Sequence, residues 1–155
     1  MLAIKAKKNV NAVIEAPPSK SYTQRALIIA ALAKGKSIIK NPLFSGDTKY
    51  MVNSLNQFGI KITKNGSDLV VHGNGGFLKS PAKPIFVGNA GTAMRFLAGL
   101  AGLANGQVIL AGDERMQQRP IQDLLDALRQ LGVESESNKG CPPVKIYGGT
   151  FDGGS

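Results

Sequence analysis

The sequence predicts an α/β (α+β) fold assembled from two repeated βαβαββ units. Three observations predict it. Arg25 opens the run Arg-Ala-Leu-Ile-Ile-Ala-Ala-Leu-Ala-Lys-Gly, and Arg95 opens Arg-Phe-Leu-Ala-Gly-Leu-Ala-Gly-Leu-Ala-Asn-Gly about 70 residues later, a spacing that marks an internal repeat. In each half a second stretch carries apolar residues at helical spacing and stops at a glycine, Gly59 or Gly132. Short β-branched runs occupy matching places around those helices.

The elements follow in order. A leading strand is expected at 11–15. The first helix begins within Pro17-Pro18-Ser19-Lys20-Ser21-Tyr22-Thr23-Gln24-Arg25, where Ser21-x-x-Gln24 fits a capping box. A strand follows at 37–39. The helix at 51–58 aligns Met51, Leu55 and Phe58 on one face, with Asp47 as its expected N-cap. Strands at 60–63 and 69–72 close the unit, and the Gly/Pro-rich stretch 73–83 is a linker. The second unit repeats the order: strand 84–87, a helix from Arg95, strand 107–110, helix 121–131, then strands 133–135 and 144–147. Leu124, Leu128 and Leu131 share a helical face, and Pro120 suits the first helical position. The units thus span about 14–75 and 84–149. Residues 1–13 form a separate N-terminal segment, and 148–155 have loop chemistry.

A chain of 155 residues suits one domain, and such a domain buries roughly 68–70% of its unfolded surface. Its 43% hydrophobic and 19% charged residues are ordinary for a globular protein. The net charge of +9 attracts anions in general, but the basic residues are dispersed and Lys7-Lys8 is their only adjacent pair. With 6% aromatics and no Trp, a base-stacking platform is poorly supplied, so no nucleic-acid partner is expected. Cys141 and His72 each stand alone, which excludes an internal disulfide and a Cys/His zinc set. A reducing, cytoplasmic setting is expected. No apolar h-region follows the first lysines, so no signal peptide is expected. The longest apolar run, 96–104, is far below the ~18 residues of a spanning helix, so no membrane partner is expected.

Three segments carry candidate chemistry. Ser19 to Arg25 places Lys20, Ser21 and Arg25 around a helix start, where unpaired amides and the helix dipole favour an anion. Ser21 and Arg25 are four apart and share a face; a plain cap with a solvated arginine is the competing reading. Gly88-Asn89-Ala90-Gly91-Thr92-Ala93-Met94-Arg95 joins a strand to a helix with glycines that admit a ligand close to the backbone. It lacks the Gly-Lys-Ser/Thr ending of a P-loop and the dinucleotide fingerprint, and a simple tight turn also fits. Gly112-Asp113-Glu114-Arg115-Met116-Gln117-Gln118-Arg119-Pro120 puts two arginines before a helix, suited to carboxylate or phosphate or else to pairing with Asp113 and Glu114. His72 reads as a strand-end residue and Cys141 as an inert loop or edge residue. No pair of carboxylates stands out as acid and base.

Taken together, the three segments resemble the EPSP synthase (3-phosphoshikimate 1-carboxyvinyltransferase) family. The similarity lies in Pro-Ser-Lys-Ser-x-x-x-Arg-Ala-Leu from Pro18, Gly-Asn-Ala-Gly-Thr-Ala-Met-Arg from Gly88 and Gly-Asp-x-Arg-Met-x-x-Arg-Pro-Ile from Gly112, in the family's order. The resemblance implies units of the enolpyruvyl transferase type, two of the three in one domain, within 14–155. It implies transfer of the enolpyruvyl group of phosphoenolpyruvate to shikimate 3-phosphate with release of phosphate, in aromatic amino acid biosynthesis. It implies no cofactor and no metal. Lys20, Ser21 and Arg25 are implied for shikimate 3-phosphate; Lys20, Asn89, Gly91 and Arg115 for phosphoenolpyruvate. Lys20 has a possible proton-transfer role; no other catalytic residue is implied here.

Glyphosate occupies the phosphoenolpyruvate place in sensitive members, and Gly91 leaves that space open. Phe96 stands where many members have proline, and Gly46-Asp47 where others have two aspartates. The resemblance also implies that this chain is an N-terminal portion of a monomeric enzyme, inactive alone, whose 1–13 segment belongs to another domain's sheet. Such a portion has an apolar surface that invites self-association. The sister UDP-N-acetylglucosamine transferases usually have Lys-Asn where Lys20-Ser21 stands. RNA 3′-phosphate cyclases need a nucleotidylated histidine, and a basic RNA-binding module is the non-enzymatic alternative.

Overall fold

The computed structural model describes residues 6, 8–149 and 151. Helix α1 (Lys20–Leu32) is followed by β1 (Lys34–Ile39), α2 (Gly46–Gln57), β2 (Lys61–Asn65) and β3 (Asp68–Asn74). These strands make an antiparallel sheet in the order β1-β3-β2. The second half comprises β4 (Ile85–Phe86), α3 (Gly91–Ala101), β5 (Gly106–Ala111), a 3-10 turn (Met116–Gln118), α4 (Gln122–Gln130), β6 (Glu134–Asn138) and β7 (Cys141–Gly148). Its sheet runs β4-β5-β7-β6, with β4 parallel to β5 and the other pairs antiparallel.

The repeat extends to backbone detail. Gly59 and Gly132 end α2 and α4 with φ of 89° and 86°. The amides of Ile60 and Val133 then donate to Leu55 and Leu128, both at 3.0 Å. Gly73 on β3 lies against the carbonyls of Ala30 and Ala33 at the end of α1; Gly148 on β7 lies against those of Ala101 and Ala104 at the end of α3. Each sheet is thereby pressed onto its first helix at a point where no side chain fits. One core runs through both halves: Leu27, Met51, Leu55 and Phe58 from the first, and Met94, Leu97, Leu110, Leu125 and Ile146 from the second. Helix α1 packs on both α2 and α3, which brings the N-terminal ends of the two repeats into one neighbourhood.

Several local expectations are corrected. No strand forms at 11–15, so the first unit reads αβαββ and β1 has β3 as its partner. Val13 and Ile14 there are exposed. Strand hydrogen bonds contribute little net stability without an apolar face to cover, and none is covered at this position. Ser19, not Ser21, caps α1: its Oγ accepts from the Tyr22 amide at 3.4 Å, and the earlier start buries Thr23, Gln24 and Leu27. Ser45, not Asp47, caps α2, accepting from the Thr48 amide at 3.3 Å and starting the helix at Gly46. Pro120 lies just outside α4, which begins at Gln122. The linker is shorter than expected because β3 takes Gly73 and Asn74, and Leu78 within it is buried. His72 is an exposed residue of β3 opposite Lys36 and Lys61, and Cys141 opens β7 half-buried. Among the described residues no helix is long and apolar enough to cross a membrane.

Candidate functional site

The start of α3 and a point one turn into α1 face one cleft. Helix α3 begins directly after the turn that leaves β4. Its N-cap position holds Ala90, which offers no side-chain acceptor, so the first amides of α3 remain available to an anion. Gly88 in that turn has a φ of 54°, and Tyr50 fills the space a side chain would need. Gly91, the first residue of α3, is buried.

Three arginines surround this mouth. Arg119 Nη1 donates to the Asn89 carbonyl at 3.2 Å and to Asn89 Oδ1 at 3.3 Å, and its guanidinium lies over Gly91. Arg95, one turn into α3, donates to the Gly91 carbonyl at 3.2 Å and to the Pro120 carbonyl at 2.9 Å. Arg25, one turn into α1, donates to the Ser21 carbonyl at 3.2 Å, and its guanidinium carbon sits 5.6 Å from the centre of the Phe96 ring. Arg25, Gly91, Thr92, Arg95, Phe96 and Arg119 line a cleft of about 370 Å³. A larger hollow of about 470 Å³, lined by Phe44, Val52 and Leu69 among others, is mostly apolar and suits an anion poorly.

The charges decide what the cleft can hold. Among the described residues the ion pairs are Lys20–Asp47, Asp126–Arg129 and Glu136–Lys145. Arg25, Arg95 and Arg119 therefore face the cleft with carbonyls and an amide oxygen as partners and no carboxylate. Three uncompensated guanidinium forks beside an uncapped helix N-terminus favour phosphate or carboxylate. Lys20, the first residue of α1, reaches Asp47 in the first turn of α2, 2.8 Å from Nζ to Oδ2. Ser21 is exposed beside it. Among the described residues no group of three or more His, Cys, Asp or Glu could hold a metal ion.

Of the residues singled out from sequence, the structure brings Arg25, Asn89 and Gly91 together and sets Lys20 and Ser21 at the adjoining start of α1. Arg115 is not among them. It is exposed and outside the cleft lining, whereas Arg119 occupies the place against Asn89 and Gly91. The reason is the 3-10 turn. Met116 is fully buried and anchors it, Asp113 Oδ1 accepts from the Met116 amide at 2.9 Å, and the extended backbone at Arg119 carries the chain back across the mouth of α3. Asp113 is thus engaged with backbone rather than with an arginine. Arg95 was legible as a motif residue and Phe96 as a departure from the family's pattern, but neither as a cleft residue. Their helical phase toward Arg25 depends on how α1 meets α3.

Comparison with known proteins agrees with this architecture. The family model for EPSP synthase (3-phosphoshikimate 1-carboxyvinyltransferase) matches residues 4–155. A 3-phosphoshikimate 1-carboxyvinyltransferase of Methanothermobacter thermautotrophicus is 47% identical over 154 residues, covering 98% of this chain and 36% of the relative. One from Rhizobium etli is 46% identical over 137 residues, covering 88% of this chain and 33% of the relative. The solved EPSP synthase of Acinetobacter baumannii superimposes with a TM-score of 0.82 at 29% identity, over 88% of this chain and 32% of that one. The chain spans about a third of the length of the curated relatives it matches. With the ordered motifs, the repeated units and the arginine-lined cleft in agreement, this chain belongs to the EPSP synthase family.

Proposed function

We propose that this chain supplies one wall of an active site that transfers the enolpyruvyl group of phosphoenolpyruvate to shikimate 3-phosphate, releasing phosphate. Both substrates are multiply charged anions, and the observation that carries the reading is the cleft where Arg25, Arg95 and Arg119 pair with no carboxylate among the described residues, beside the uncapped start of α3. Lys20, Ser21 and Arg25 hold shikimate 3-phosphate. Asn89, Gly91 and Arg119 hold phosphoenolpyruvate, Arg119 taking the role that sequence reasoning gave to Arg115. Lys20 stands between the two.

The chemistry is protonation of the enol phosphate at its methylene carbon, attack by the acceptor hydroxyl with release of the hydroxyl proton, and loss of phosphate together with a methyl proton from the tetrahedral intermediate, which restores the double bond. These residues orient two anions that repel one another and offset their charge, so catalysis here is positioning and electrostatic stabilisation. The acid/base groups lie outside this chain, which alone binds substrate weakly and does not turn over. The reading includes a cytoplasmic location and a partial N-terminal domain over 14–155.

The test is a chimera in which these 155 residues replace the corresponding part of the Methanothermobacter relative. The expected result is formation of 5-enolpyruvylshikimate 3-phosphate, inhibited by glyphosate. Lys20→Ala and Arg119→Ala lower kcat/KM by orders of magnitude, and Arg115→Ala leaves it within about tenfold. A folded chimera with no product, or one indifferent to Lys20→Ala and Arg119→Ala, overturns the reading.

A further inference from the structure

Phe96 has no role in the reading above, yet it occupies the seam between the two helix starts. It is the residue after Arg95 on α3, half-buried against the core, and its ring lines the cleft. The Arg25 guanidinium from α1 lies over that ring at 5.6 Å, within the range of a cation–π contact. Among the described residues the hydrogen-bond partner of the guanidinium is the carbonyl of Ser21, one turn earlier on its own helix. That bond leaves the long side chain free to swing out over the exposed flank of α1, where Arg25 lies. The aromatic ring ties Arg25 to α3. The ring borders the guanidinium without offering a hydrogen-bond acceptor in its plane, so it holds the side chain at the seam without engaging the donors that a ligand would use.

We propose that Phe96 is a positioning residue: an aromatic shelf that holds Arg25 across the α1–α3 seam for the acceptor phosphate. The inference rests on the reading that Arg25 binds shikimate 3-phosphate. It adds that the acceptor side of the site is preorganised by the donor-side helix, so the two halves of the cleft are coupled through a single ring.

The test is titration of the 155-residue chain with shikimate 3-phosphate, followed by NMR of the arginine side chains. Phe96→Leu keeps the apolar volume and removes the π face. It should weaken binding about two- to fivefold, with thermal stability nearly unchanged. Phe96→Tyr should restore wild-type affinity, which a merely structural role for this position does not require. In an Arg25→Ala background Phe96→Leu should have no further effect. Independently of any ligand, the Arg25 δ and ε resonances should carry a ring-current shift that Phe96→Leu abolishes and Phe96→Tyr keeps. Equal affinity of wild type and Phe96→Leu, or Arg25 resonances indifferent to the ring, overturns the shelf. If wild-type chain shows no affinity for shikimate 3-phosphate while the ring-current shift is present, the functional reading fails instead, and the shelf loses its ligand.

Discussion

Lys20 Nζ lies 2.8 Å from Asp47 Oδ2, joining the first turn of α1 to the first turn of α2. Both side chains are partly exposed, 48% and 32%, so the pair contributes little to folding. Its effect is electrostatic: Asp47 competes with an incoming anion for the same ammonium. Asp47→Asn should change stability by less than about 1 kcal/mol. The same variant should bind inorganic phosphate about two- to threefold more tightly, because one opposing charge leaves the neighbourhood. Phosphate titration of the isolated chain measures this, and equal or weaker affinity would show that the pair does not oppose the ligand.

Gly91 faces Arg119 so closely that a Cβ on the glycine would stand 2.6 Å from the guanidinium carbon. The clash is with the far end of a flexible side chain, so Gly91→Ala should fold normally. Arg119 must then leave Asn89, and loss of a charge-assisted contact of this kind should weaken phosphoenolpyruvate binding by about tenfold. Calorimetric titration of the chimera, with circular dichroism for the fold, separates the two outcomes.

Gly73 and Gly148 occupy equivalent places in the repeat, and there the clash would be with backbone. A Cβ at Gly73 would meet the carbonyls of Ala30 and Ala33, and at Gly148 those of Ala101 and Ala104. Neither helix end can yield without separating from its sheet. Either glycine changed to alanine should lower stability by about 1–3 kcal/mol or more, read from denaturant midpoints. Gly66→Ala provides a contrast, since the space around that turn is open. Its cost should come from its φ of 59° alone.

On the exposed face of β6 and β7, Glu136 accepts from Tyr147 Oη at 2.7 Å and from Lys145 Nζ at 3.0 Å. The tyrosine hydroxyl first, and then the lysine, hold the Glu136 carboxyl below its ordinary value. The hydrogen bond to Glu136 pushes the Tyr147 hydroxyl up. The signs give a window. The contribution of Glu136 is present above the ordinary glutamate range and is lost as pH falls through its lowered value. That of Tyr147 is present below the ordinary tyrosine value and is lost as pH rises through its raised one. In Tyr147→Phe the Glu136 carboxyl should titrate higher than in wild type yet stay below an ordinary glutamate, since Lys145 remains. NMR titration of the carboxyl carbon measures both shifts.

The glycine stops at Gly59 and Gly132, the apolar phases of α2 and α4 and the strand runs were legible because each depends on neighbours a few residues away. The helix caps were misplaced for a related reason. Ser19 and Ser21, or Ser45 and Asp47, offer the same local chemistry, and the choice fell to whichever start buried Thr23, Gln24 and Leu27 or Met51 and Leu55. The missing strand at 11–15 had the right residues and no surface to cover.

By itself, the sequence determined the family, the repeat and the concentration of cationic residues near helix starts, because those follow from residue order and short-range periodicity. The tertiary structure alone decided that Arg119 rather than Arg115 meets Gly91, that Asp47 meets Lys20 and that Phe96 lies under Arg25. These pairings join residues 27 or more positions apart. Their geometry is set by how α1, α2 and α3 pack through one shared core, and no local pattern encodes the angle at which packed helices meet.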